Sequence, residues 1–288
     1  MGSEMRGKKV LITGANRGIG FSTTKRLASL GASIVMGCRN IAIASEICDA
    51  VRRDTGNPNI EVMELDLASI KAIHVFSEKF SRAHPKLDVL INNAGTFSMK
   101  REETIDGFEK TIGTNYLGPF LLTSLLLPCL QRREDAQIIN LSSNAHYYGN
   151  LDLEDLQRKR RYQGFLAYAA SKLAIVFFTQ ELAERLEGRV RVNAVHPGHV
   201  ATHMWEIFPR FPLLQSMLNM ISNQLMISTD EAADSILYLT TAEEIAGISG
   251  KYFDEKVQRA ASKKCRNLAF QKDLFKLSEK LTSIQVMN

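Results

Sequence analysis

Short apolar runs recur along the chain and alternate with stretches of helical period. Val10-Leu11-Ile12 leads into a glycine-containing turn, and an amphipathic helix is expected from about Ile19 to Leu30, with Gly31 free to take the left-handed position that ends it. Ser33 to Gly37 reads as a second strand. The rhythm repeats at Glu61 to Leu65, Val89 to Ile91, Gln137 to Leu141 and Arg191 to Val195, each followed by a helical pattern, and a short strand is expected at Lys251 to Phe253. Strands that alternate with helices of ten or more residues imply right-handed crossovers and a parallel sheet covered on both faces. The expected fold class is therefore α/β, a doubly wound parallel sheet of about seven strands. No linker or internal repeat divides it, so residues 1–288 are read as a single domain with a C-terminal helix at about 261–284.

Composition changes this picture little. The chain is 45% hydrophobic and 23% charged, which is ordinary for a globular protein of 288 residues. A net charge of +5 would suit a nucleic acid, but no nucleic-acid motif accompanies it, and none is expected as a partner. Cys38, Cys48, Cys129 and Cys265 have no paired spacing, which points to reduced thiols. Residues Met1 to Lys9 carry no apolar run, and the longest apolar stretch, Phe120 to Leu130, is broken by Thr123, Ser124 and Pro128. The expectation is a soluble, cytoplasmic protein without a transmembrane segment.

In a doubly wound sheet, ligands bind beyond the carboxyl ends of the strands. The first such end carries Thr13-Gly14-Ala15-Asn16-Arg17-Gly18-Ile19-Gly20, a strand-to-helix turn in which backbone can approach a pyrophosphate and the helix N-terminus favours its charge. The end of the second strand reads Gly37-Cys38-Arg39-Asn40. A carboxylate there would suit a ribose hydroxyl, whereas Arg39, unless it is only a solvated surface cation, suits a 2′-phosphate. This is the argument for NADP(H) as cofactor. Further along, Tyr168-Ala169-Ala170-Ser171-Lys172 puts a phenol and an amine on one helix face. A tyrosine can donate a proton near neutrality if adjacent positive charge lowers its pKa, and Lys172 is the expected source. With seven tyrosines in the chain, such a pair arises readily by chance and needs companions.

Those companions are Gly14, Gly18 and Gly20 in the order T-G-x-x-x-G-x-G, Asp66-Leu67, Asn92-Asn93-Ala94-Gly95, Asn115, Ser142-Ser143, and His196-Pro197-Gly198 with Thr202. Together they resemble the short-chain dehydrogenase/reductase family over nearly the whole chain. The resemblance implies a Rossmann fold and a catalytic set of Asn115, Ser143, Tyr168 and Lys172, with Ser142 as the alternative serine. It implies cofactor contacts from Gly14, Asn16, Arg17, Gly18, Ile19, Gly20, Arg39, Asp66, Leu67, Asn93, Ala94, Gly95, Tyr168, Lys172, Pro197, Gly198 and Thr202. Asp66 could equally cap the next helix, Ser143 a turn, and Asn115 could be an exposed helix position. His196, His199 and His203 have a spacing that could hold zinc, but the turn at Pro197-Gly198 prevents helical alignment, and no metal site is expected.

Between Ser143 and Tyr168 lies an insertion, His146 to Leu156, followed by Arg158-Lys159-Arg160-Arg161. With the H-P-G segment, Thr179 to Ala183 and Gly250 to Phe253, it resembles the retinol-dehydrogenase-like branch of the family. That branch implies a small lipophilic carbonyl or alcohol as substrate, retinal-like or another aldehyde or ketone. Trp205, Phe208, Phe211, Met217, Met220, Leu225 and Met226 fall where the family keeps its substrate lid, about 199–227, and are expected to supply apolar lining unless they serve only as a packed helix face. Arg158 to Arg161, Lys263, Lys264 and Arg266 are candidates for peripheral contact with anionic lipid, and Ala167 to Leu186 for a homodimer contact implied by the resemblance. Two functions stand: an NADPH-dependent carbonyl reductase, or a regulatory protein that reports NADP(H) occupancy. The intact Tyr168 and Lys172 favour the first.

Overall fold

The computed structural model describes residues 5–199 and 227–286. The first three strands each lead into a helix across a short loop, whereas the fourth and fifth are followed by longer connections. The order along the chain is β1 (Lys9–Thr13), α1 (Gly18–Ser29), β2 (Ser33–Cys38), α2 (Ile41–Thr55), β3 (Ile60–Glu64), α3 (Ile70–Ala83), β4 (Val89–Asn92), α4 (Lys110–Ile112), α5 (Gly118–Leu130) and β5 (Gln137–Leu141). It continues with α6 (Gly164–Leu186), β6 (Arg191–His196), α7 (Thr229–Thr241), β7 (Tyr252–Asp254), β8 (Val257–Arg259) and α8 (Leu268–Thr282). The eight strands form one sheet in the order β3-β2-β1-β4-β5-β6-β7-β8. All neighbours are parallel except β7 and β8, a hairpin that adds an eighth, antiparallel strand to the seven expected.

The central strands are buried on both faces, which is why they read as unbroken apolar runs: Val10, Leu11 and Ile12 have no exposed surface. One apolar layer, with Leu27, Ala44, Val51, Ile236 and Leu239, lies under α1, α2 and α7. The other joins α3, α5, α6 and α8 through Phe76, Phe80, Phe120, Phe178 and Phe275. The sheet changes winding direction at β1, whose neighbours are β2 and β4, so the crevice beyond β1 and β4 is the place for a ligand.

Between α4 and α5 the chain takes a π-helical turn, Gly113–Leu117. The sequence dictates a break here, since Pro119 has no N–H to give the Asn115 carbonyl. The Gly118 N–H bonds the Gly113 carbonyl instead. Buried Glu109 caps the start, its two carboxylate oxygens each accepting an amide at 2.8 Å, from Thr111 and Ile112.

The C-terminal helix begins at Leu268, later than expected, because Lys263–Arg266 forms a 3-10 turn and Asn267 caps the helix that follows. It lies along α6. Gln271 donates to the buried Glu181 carboxylate at 3.0 Å, Arg185 sits 4.0 Å over the Phe275 ring, and Phe270 packs on Phe177. Among α6 residues only Phe165, Leu166 and Glu184 remain exposed. Two stretches, Lys110–Leu130 and Gly164–Leu186, are long and apolar enough to cross a membrane, but both are 78% buried in the fold and serve as its core helices.

Gly118 packs so closely on the loop after β3 that an added Cβ would lie 2.4 Å from the Leu67 carbonyl oxygen. Gly118→Ala is expected to lower stability by about 1–3 kcal/mol, measured by urea or thermal unfolding, whereas Gly107→Ala, which meets no atom within 4 Å but has φ +81°, should lose only the smaller backbone strain.

Candidate active site

At the end of β1 the Thr13 hydroxyl accepts the amides of Asn93 and Ala94, both at 3.0 Å. The Asn93 side chain returns a bond to the Thr13 carbonyl at 2.8 Å, so the loops after β1 and β4 are stitched together. Glycine is required by this closeness. A Cβ on Gly14 would fall 3.0 Å from Ala94, and one on Gly20 2.3 Å from the Gly14 carbonyl oxygen and 2.5 Å from Asn93. Gly18 has φ +53° and faces open space.

Helix α1 starts at this turn with no side-chain cap and no acidic residue in its first turn. Asn40, Ser69 and Ser228 supply such caps to α2, α3 and α7. Uncapped amides beside an open glycine suit a phosphate, and Arg17 and Arg39 flank them, exposed and without an ion pair among the described residues. The residues fit a dinucleotide. Asp66 does not cap α3, a role taken by Ser69; its carboxylate instead accepts the Ala68 amide at 3.0 Å within the loop. Buried Leu67 follows, and Asn16 and Ile19 line the glycine turn.

The second group converges at the ends of β4 and β5. The buried Lys172 amine donates to the Leu141 carbonyl at 2.8 Å and lies 5.6 Å from the centre of the Tyr168 ring. Asn115, 1% exposed, sits inside the π turn and not on a helix surface. Its amide group grips Thr96 with two bonds, accepting from the amide at 2.7 Å and donating to the carbonyl at 2.9 Å, and it also donates to Ser171 at 3.0 Å. Gly95 lies between them: a Cβ there would be 3.6 Å from the Asn115 oxygen and 3.8 Å from the Lys172 nitrogen.

The two serines separate clearly. Ser142 is buried and spends its hydroxyl on the Lys172 carbonyl at 3.0 Å. Ser143 is partly exposed, accepts the Ala145 amide at 3.2 Å, and hydrogen-bonds the Tyr168 phenol. Phe97 meets the Tyr168 ring edge-on, 5.8 Å between centres. On the far side, Pro197 and Gly198 are buried after β6, Gly198 at φ +103°, where a Cβ would fall 2.2 Å from Ile227. Thr202 and most of the expected lid lie outside the described residues.

Four residues that complete this arrangement were not among the expected site residues. Thr13 and Ser171 stand inside the T-G and Y-A-A-S-K motifs, so their signal was present. Thr96 acts through its backbone and leaves no trace in side-chain chemistry. His146, whose Nδ1 lies 2.8 Å from the Ser143 carbonyl oxygen, falls in the insertion and carries no motif of its own.

The expected lowering of the Tyr168 pKa by Lys172 is not what the protein chain alone produces. Burial pushes Tyr168 up to about 12, against a smaller downward pull from the Ser143 bond. Burial also pushes Lys172 down to about 8. The folded state therefore penalises the lysine cation fully below pH 8, and the penalty fades as pH rises toward 10.5, its unperturbed value. Lys172→Met is expected to be more stable than the native chain at pH 7, on the order of 1–3 kcal/mol. That advantage should shrink between pH 8 and 10.5, as read from unfolding curves across pH.

Known proteins match this chain along most of its length. A model of the family described as short chain dehydrogenase matches residues 8–210. The chain is 37% identical over 294 residues to Retinol dehydrogenase 14 of Homo sapiens, covering 97% of this chain and 88% of that protein. It is 40% identical over 283 residues to Retinol dehydrogenase 12 of Mus musculus, covering 98% and 88%. Among solved structures, an uncharacterized protein from Mycobacterium Paratuberculosis matches with a TM-score of 0.80 at 31% identity, covering 100% of this chain and 97% of the other. A short chain dehydrogenase from Escherichia coli CFT073 complexed with NADPH matches with a TM-score of 0.69 at 25% identity, covering 88% and 98%. The chain belongs to the short-chain dehydrogenase family and is a nicotinamide-dependent oxidoreductase acting on CH–OH or C=O groups.

Proposed function

We propose that the protein is an NADPH-dependent carbonyl reductase of the cytoplasm, acting on a lipophilic aldehyde or ketone of the retinal type. The observation that carries the chemistry is the convergence of Ser143, the Tyr168 ring and the buried Lys172 amine, whose nitrogen lies 5.6 Å from the ring centre. When bound, the nicotinamide supplies the hydride. Ser143 and Tyr168 share the carbonyl oxygen of the substrate, and the phenol gives that oxygen its proton as negative charge develops there. Lys172 stands beside the Tyr168 ring, where its cation would stabilise the phenolate left after proton transfer, and Asn115 holds the loop at Thr96 through two hydrogen bonds. The Phe97 edge on Tyr168 gives the phenol an aromatic neighbour suited to a greasy substrate. Similarity to retinol dehydrogenases supports the same reading.

The preference for NADPH rests on charge. Arg39 follows β2 where a ribose 2′-group would lie, Arg17 stands in the glycine turn, and no carboxylate occupies that loop. The four cysteines are all unpaired and buried, which suits a reducing compartment.

Two measurements test this reading. Arg39→Asp is expected to weaken NADPH binding by about 10–100-fold, the worth of a charge-assisted hydrogen bond, and to narrow the gap to NADH; equal use of both cofactors by the native chain would refute the preference. Tyr168→Phe should lower kcat by about 10²–10⁴-fold with NADPH affinity nearly intact, followed by NADPH consumption over retinal, medium-chain aldehydes, steroids and quinones. Tight NADPH binding by the native chain with no turnover across that panel would favour cofactor-occupancy signalling instead.

A further inference from the structure

One turn beyond Ser143, a histidine with no exposed surface joins the serine loop to the C-terminal part of the chain. His146 lies in a 3-10 turn, Asn144–Tyr148. Its Nδ1 is 2.8 Å from the Ser143 carbonyl oxygen, and its Nε2 is 3.1 Å from the Ser262 amide nitrogen. The carbonyl can only accept and the amide can only donate. The ring is therefore the neutral tautomer with its proton on Nδ1, and burial, which lowers its pKa, keeps it so.

The same turn is fastened at other points. Tyr147 and Tyr252 pack against the ring, with centres 4.0 and 4.5 Å away. The Tyr147 hydroxyl donates to the Ala260 carbonyl at 2.8 Å, and the Tyr252 hydroxyl to the Asn144 side chain at 2.7 Å. Packing alone would ask only for a ring. Here both ring nitrogens are spent on backbone groups of different segments, which fixes the orientation of the Ser143 peptide. Ser143 carries both groups on one Cα, its backbone extended at φ −162° and ψ 155°, so anchoring its carbonyl anchors the base of its side chain, whose hydroxyl also accepts the Ala145 amide.

We propose that His146 is a positioning residue: by holding the Ser143 carbonyl it keeps the Ser143 hydroxyl on Tyr168, and by accepting from Ser262 it makes that placement depend on the docked 260–262 segment. The proposal rests on the reading that Ser143 holds the substrate oxygen. Displacement of a positioned group by roughly 1 Å can cost about 10²-fold in rate.

The experiment compares His146→Asn, His146→Gln, His146→Ala and Ser143→Ala in the full chain. NADPH-dependent reduction, NADPH affinity, melting temperature and amide exchange at residues 260–262 are measured for each. Asn sets an amide near the Nδ1 position and can still donate to the Ser143 carbonyl; Gln reaches toward Ser262 and loses that bond. His146→Ala and His146→Gln are expected to lose about 10–100-fold in kcat with NADPH affinity within about twofold, and His146→Asn to recover part of the rate. Exchange at 260–262 should rise in Asn and Ala and stay slow in Gln. A folded His146→Ala with kcat within about twofold of native overturns the proposal while an inactive Ser143→Ala leaves the catalytic reading standing. If Ala does not fold, equal rates in Asn and Gln overturn it. A fully active Ser143→Ala would instead remove the catalytic reading, and the proposal with it.

Discussion

A lysine amine buried between a core helix and a strand end is the constraint around which this site is built. Lys172 is 5% exposed and donates to the Leu141 carbonyl. Burying an ammonium ion is costly unless it is neutralised or hydrogen-bonded, and burial moves its pKa down to about 8. Such a position survives only if everything near it is rigid. Helix α6 is clamped on one side by the sheet and on the other by α8, and Ser142 ties the Lys172 carbonyl back to the loop after β5. Tyr168, one turn earlier, and Ser143, two residues past Leu141, inherit their places from that clamp.

The same strands carry a buried polar chain that fixes how their ends line up. Asn92 at the end of β4 donates to Asn140 of β5 at 2.8 Å and to Thr123 of α5 at 3.0 Å; Asn140 donates to Thr179 of α6 at 2.9 Å. A slip of one residue would leave these side chains unpaired in the core, so the network selects a single register. That register brings Asn93-Ala94-Gly95 opposite both the glycine turn and Lys172. Cofactor crevice and proton-donating group are thus fixed by one set of bonds.

Much of this was legible in the sequence, and for a physical reason. Parallel strands buried on both faces must be apolar runs, and turns where backbone meets backbone must be glycine, as at Gly14 and Gly20. Asn115 was marked only by the family pattern, with an exposed helix position as the alternative, and the structure buries it in the π turn that precedes Pro119. What stayed hidden depends on contacts between distant segments. β8 has only Val257, Gln258 and Arg259, all exposed, and forms because the turn after Asp254 folds it back. The pKa of Tyr168 moves opposite to the expectation because spacing on a helix reports proximity to Lys172 but not the desolvation that both groups share. Asp66 offered two roles by sequence, and only the packed loop reveals that Ser69 is the cap.

The family model stops at residue 210, and residues beyond it pack against the elements that carry the candidate site. Tyr116, beside Asn115 in the π turn, is fully buried and shares a 2.7 Å hydrogen bond with Ser278 of α8. Glu181 and Arg185 of α6 engage Gln271 and Phe275 of the same helix. Each of these lies one or a few helical turns from a residue of the candidate site. A helix attached only by apolar contacts could slide, since such contacts are non-directional. Buried hydrogen bonds cannot slide without leaving a polar group unpaired. The C-terminal helix therefore holds α6 and the π turn in place, and the frame of the candidate site is set by residues on both sides of position 210.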